Sequence, residues 1–186
     1  MSGATTKAVA TLALRNAKDL LSSLMHTEEW DLCGEIHPEK TGDQTWMVST
    51  PKENPLRLVH LPTGRMLVVP FARMETDFAS VPKFLQRLGG KVFHFKPTDY
   101  KLSAFFHDQV FAAGGVIVVF ARRRLFVKIS MRQANAILFV CMECEGATWG
   151  DGIAYHSAVT LFGRRAWTKC RKENAQWPPL FEGGSA

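Results

Sequence analysis

Three side chains able to hold a metal ion or move a proton fall in one apolar stretch of this chain: Asp77, His107 and Asp108. The stretch opens with Thr76-Asp77-Phe78-Ala79-Ser80-Val81-Pro82 and closes with Tyr100-Lys101-Leu102-Ser103-Ala104-Phe105-Phe106-His107-Asp108. A carboxylate among apolar neighbours is costly unless something pairs with it. Either the three groups satisfy one another, or they hold a cation. An imidazole with carboxylates suits zinc, manganese, iron or magnesium. Three protein ligands with an open position would let such a divalent metal activate a bound water. The plainer reading has Asp77 capping a helix or pairing with an arginine, and His107 as a satisfied core histidine.

The elements that must position these groups follow from periodicity. A helix is expected from about Thr98 to Ala113, with Tyr100, Ala104, His107 and Phe111 spaced four, three and four on one face. His107 then lies at the edge of the core, and Asp108 sits about 100° further round. Asp77 falls in a loop ahead of a short helix capped by Ser80 and ended by Gly89-Gly90. His94, in the next loop, is a further ligand candidate.

Upstream, residues 7–25 read as an amphipathic helix, and residues 27–55 are turn-rich apart from strand character in Gln44 to Ser49. Leu56 to Leu61 and Arg65 to Pro70 form a hairpin about Pro62-Thr63-Gly64. Downstream, Val116 to Phe120 and Leu125 to Ile129 flank a basic tip, Ala121-Arg122-Arg123-Arg124. Ser130 caps a helix from Met131 to about Glu145, and Asp151 caps a last one. The fold class is therefore α+β: a small antiparallel sheet with hairpins in the first half, packed against a helical second half, with an N-terminal helix. The expected division is a helical extension over 1–30, one α+β domain over 31–170 and an extended tail over 171–186.

The chain has 186 residues and a net charge of +6, so contact with nucleic acid is permitted, though no basic stripe is interleaved with aromatics. Arg122, Arg123 and Arg124, with Trp177 in the tail, are candidate partner-docking residues. The four cysteines are too few for a disulfide scaffold, and Cys141-Met142-Glu143-Cys144 lies within a helical period with no second pair, which favours core packing over a metal or redox motif. No phosphate-cradling glycine loop or nucleophile elbow occurs. No signal peptide and no membrane span is expected, and a reducing cytoplasmic setting is the simplest inference.

Thr76-Asp77-Phe78-Ala79-Ser80, then Tyr100, His107-Asp108 and Phe111, resemble the bacteriophage and prophage family catalogued as domain of unknown function thirteen-fifty-three. That family continues with a helix opening serine-arginine-lysine-glutamate-alanine-aspartate, matched here by Ser130-Met131-Arg132-Gln133-Ala134-Asn135. It closes on a helix resembling Tyr155 to Val159 with Leu161-Phe162-Gly163 and Trp167, so the likeness spans about residues 44–168. Asn135 stands where the family usually has an aspartate, which would weaken a metal site in which it took part. The hairpin from Gly115 to Lys128 reads as an addition to the family pattern. The resemblance implies a phage or prophage origin and supplies no activity; the expectation built on it is a phage-encoded accessory protein of the host cell cytoplasm or the virion, a virion or assembly component carrying a vestigial Asp/His-Asp metal site, with other phage proteins as partners. The alternative is a metal-dependent hydrolase of phosphoesters or amides, with Asp77, His107 and Asp108 as catalytic ligands and Asn135 peripheral.

Overall fold

The computed structural model describes residues 18–43, 45–76, 100–121 and 123–173. Eight strands run in chain order: β1 Trp30–Cys33, β2 His37–Lys40, β3 Trp46–Ser49, β4 Arg57–His60, β5 Arg65–Val68, β6 Arg73–Thr76, β7 Gly115–Phe120 and β8 Arg123–Lys128. The helices are α1 Lys101–Ala113, α2 Met131–Cys144, α3 Trp149–Phe162 and α4 Arg164–Glu173. The class is α+β, as expected.

The β4–β5 hairpin forms where its alternation places it, with Leu58 opposite Leu67 and Gly64 at φ +63° in the turn. Its sheet is larger than the hairpin signal suggests. The order is β1-β4-β5-β7-β8, antiparallel throughout, so the late hairpin β7–β8 completes a sheet begun early in the chain. The expected boundaries shift as a result. Arg123 and Arg124 belong to strand β8 and not to a basic tip, and Arg122 lies outside the described residues. A second sheet, β2-β3-β6, contains β2 inside the stretch expected to be turn-rich and β6 where no strand is expected. All four residues of β2 are exposed, and β6 alternates exposed Arg73 and Glu75 with better-covered Met74 and Thr76. Strands so short and polar carry little hydrophobic signal of their own.

One face of the larger sheet is covered by helices. Leu58, Leu67 and Val118 meet Phe105, Phe106 and Val110 of α1 and Ala134, Ile137, Val140 and Cys141 of α2. Leu20, Leu21 and Leu24 join the same core; residues 18–22 are helical, while the rest of the expected N-terminal helix up to residue 17 lies outside the described residues.

Helix ends are set by local chemistry. α1 stops at Gly114, left-handed at φ 62°, whose N–H donates to the Val110 carbonyl. α2 starts in a capping box: Gln133 N–H donates to the Ser130 hydroxyl, and the Gln133 side chain accepts from the Ser130 N–H. The cap of α3 is Thr148, not Asp151; the Thr148 hydroxyl accepts from Asp151 N–H, placing Asp151 inside the first turn. Gly163 then separates α3 from α4, which carries the chain as helix to Glu173. Among the described residues no helix is long and apolar enough to cross a membrane.

Candidate functional site

His107 sits on the apolar face of α1, only 3% exposed. It is inside the core, further in than its expected place at the edge. Its ring lies against Phe111, 5.1 Å between centroids and tilted by 42°, and Phe111 in turn meets Trp167 edge-on at 4.8 Å. Burial of this depth obliges both ring nitrogens to be accounted for.

Nε2 has a partner. It lies 3.2 Å from Oδ1 of Asn135 on α2. The Asn135 amide nitrogen donates to the Thr160 hydroxyl on α3 at 3.0 Å, which commits Oδ1 to the imidazole as acceptor. Nε2 therefore carries the proton and donates it. Nδ1 is buried without a hydrogen-bond partner among the described residues and faces Oδ1 of Asp108 at 3.8 Å. The other Asp108 oxygen, Oδ2, accepts from the Thr76 hydroxyl at the end of β6. Two hydrogen-bonded pieces, Thr76–Asp108 and His107–Asn135–Thr160, thus meet on α1 across the 3.8 Å gap between Nδ1 and Oδ1, joining the small sheet to α1, α2 and α3.

This arrangement decides what the group can do. An Asp–His pair acting as a general base needs the aspartate on Nδ1–H and a free Nε2 facing the substrate. Here Asn135 occupies Nε2, so base catalysis through that nitrogen is blocked. The pair can instead close on something placed between Nδ1 and Asp108 Oδ1: a proton shared as imidazolium–carboxylate, or a cation bound by two donors. Asp108 keeps 22% of its side chain exposed, which gives such an ion an approach. Asn135 would then orient the ligand from the other nitrogen, as acceptors behind metal-bound histidines do, and would not itself be a ligand.

Two donors are as many as the described residues supply. Among them, no group of three His, Cys, Asp or Glu side chains is placed to hold a metal ion. The third expected ligand, Asp77, lies outside the described residues, as do His94 and Trp177. Thr76, which holds Asp108, directly precedes Asp77 in the chain.

The remaining titratable groups have structural explanations. Glu145, just past the end of α2, accepts from the N–H groups of Leu102 and Ser103 at 3.3 and 2.8 Å and from the Ser103 hydroxyl, closing the first turn of α1. Burial pushes its carboxyl above the ordinary range, and these donors pull it partly back. Burial also raises the thiol of Cys141 well above its usual value and that of Cys144 to about 11, so neither is a thiolate at neutral pH. His156 on α3 is lowered by burial and by the Arg132 charge.

The sequence reading passed over Thr76, Thr160, Gln109 and Glu145. Gln109 clamps the backbone of Phe71, accepting from its N–H at 2.8 Å and donating to its carbonyl at 3.0 Å. A signal for it existed, because a glutamine three and four positions beyond Phe106 and Phe105 interrupts an apolar helical face. Thr160 carries no such signal; a threonine late in a helix is ordinary, and only the packing of α3 on α2 gives it a partner.

Comparisons with family models, with curated proteins and with solved structures return no match.

Proposed function

We propose that this chain is a phage-encoded accessory protein, a component of the virion or of its assembly, in which the Asp108–His107 pair serves as an interior clasp. The phage assignment rests on the ordered motifs from Thr76 to Trp167. The clasp rests on one observation: the Asn135 amide takes up Nε2–H of a histidine that is 3% exposed, which closes that nitrogen to a substrate. The two pieces from Thr76 to Thr160 then tie four elements by their polar groups, which fixes their mutual registry. Mass spectrometry of purified particles of the encoding phage tests the assignment. The protein is expected at a fixed copy number per particle; its absence from particles and from assembly intermediates overturns the reading.

A metal-dependent hydrolase is the second reading, and a specific observation favours it: the buried, unpartnered Nδ1 facing Asp108 Oδ1. A divalent ion there would polarise water towards a phosphoester or amide. Elemental analysis after loading with zinc or manganese separates the two. The hydrolase reading requires near one equivalent of ion, lost in Asp108→Asn, in His107→Gln and in Asp77→Asn. The clasp reading requires no ion, with His107→Gln lowering the melting temperature in chelator and in metal alike.

A further inference from the structure

The two faces of the five-stranded sheet are not equivalent. The register places Leu58, Leu67 and Val118 on the helix-covered face. One position along each strand, Arg57, Val68 and Ile117 form a row on the opposite face, followed by Met66, Val119 and Arg124. That outer face holds a cavity of about 290 Å³. Met66, Val68, Ile117 and Val119 make an apolar floor contributed by β5 and β7. Lys52, Arg57 and Arg124 stand round it, with Glu53 the one carboxylate among the described residues that line it.

Arg57 is held in place without being neutralised. Its Nη1 donates to the Asn54 side-chain oxygen at 2.7 Å and to the Pro55 carbonyl at 3.0 Å. Asn54 is itself fixed, its amide donating to a Glu35 carboxylate oxygen at 3.2 Å. Both acceptors on Arg57 are neutral, and among the described residues no carboxylate forms an ion pair with Arg57 or Lys52. A guanidinium so fixed loses little freedom on meeting an anion, and its planar fork suits a carboxylate or phosphate oxygen pair.

We propose that this face binds a small organic anion, its apolar body on half-buried Met66 and Val119 above the buried Val68 and Ile117 and its charged end at Arg57, Lys52 and Arg124. Charge complementarity selects the sign, since among the described residues Arg57 and Lys52 form no ion pair and Glu53 is the one carboxylate in the lining. Size selects the class: the cavity lies at the lower end of small-molecule sites, which begin at roughly 300 Å³. Single-stranded nucleic acid is disfavoured because among the described residues no aromatic ring lines the cavity for bases to stack on. The site shares no residue with the Asp108–His107 clasp, so it stands or falls separately.

Methyl NMR of the full chain, titrated with 2-naphthoate, with its neutral counterpart 2-naphthalenemethanol and with acetate, tests it. Saturable shifts are expected at the Ile117, Val119 and Met66 methyls with 2-naphthoate. Binding should be at least about tenfold weaker for the neutral alcohol, a factor of about ten being what one charge-assisted contact supplies. Acetate should leave the methyls unmoved. Arg57→Gln and Arg124→Gln should each weaken 2-naphthoate with the melting temperature retained, and His107→Gln should leave it unchanged. If Arg57→Gln fails to fold, Arg124→Gln carries the test. Equal binding of the neutral alcohol, absence of shifts, or indifference to Arg124→Gln overturns the proposal. Displacement of 2-naphthoate by a short oligothymidylate at lower concentration also overturns it, assigning the face to nucleic acid.

Discussion

At His107 the decisive fact is which nitrogen is engaged. Asn135 holds Nε2 and Asp108 faces Nδ1, so the two neighbours compete for different tautomers. With Asn135 the Nε2–H form is selected; an alanine there leaves a buried donor unmatched. Asn135→Ala should cost about 1–3 kcal/mol, the usual penalty for an unsatisfied buried polar group, read as a fall in the urea midpoint at unchanged slope. Asn135→Asp places a carboxylate against Nε2–H instead, favouring the doubly protonated ring. The imidazole proton signals in NMR should then persist to higher pH than in the parent. His156 gives a pH prediction of defined sign. Its folded pKa lies below the ordinary 6.5, through burial first and Arg132 second. Between those two values the unfolded chain binds the proton more readily, so stability falls as pH drops through that window. His156→Gln should flatten this part of the stability–pH curve; an unchanged slope would show that another group is responsible.

Elements here are closed by contacts from elsewhere in the chain. α1 starts on Glu145, over forty positions away, whose carboxylate satisfies the Leu102 and Ser103 N–H groups. Glu145→Ala strands the Ser103 N–H in a residue with no exposure and should cost about 1–3 kcal/mol, measured by thermal unfolding and accompanied by faster amide exchange in the first turn of α1. By contrast α2 carries its own start signal, and Ser130→Ala should cost only about 1 kcal/mol. Strand β7 begins at Gly115 because nothing larger fits: a Cβ there would meet the Phe126 ring and come within 2.7 Å of the Val127 carbonyl oxygen. The helices α1 and α2, with their stripes and caps, were legible in the sequence because these signals are local. Strands β2 and β6 were not, since four mostly polar residues become a strand only when a partner supplies the ladder, and β1, with Trp30 its one buried residue, is too short to show an alternation.

For the molecule as a whole, the late hairpin β7–β8 is the joint between the two halves. Read along the chain it looks like an addition; in space β7 lies between β5 and β8, and its Val116 and Val118 belong to the core. Excising residues 115–128 should therefore abolish cooperative unfolding, because Leu67 and Val69 would lose their neighbours and β5 would become an open apolar edge. Circular dichroism with size-exclusion chromatography checks this; a monomer that still unfolds cooperatively would show the hairpin to be dispensable. What the sequence determined by itself was everything encoded at short range: the α+β class, the β4–β5 hairpin, the extents of α1 and α2, and the placing of His107 and Asp108 on one helix. Tertiary structure alone decided that Asn135, itself bonded to Thr160, meets His107, that Thr76 holds Asp108, and that Arg57 stands over an apolar floor. Periodicity reports which way a side chain points from its own element, whereas the partner it meets depends on how separate elements cross, and that is set by the packing of the entire core.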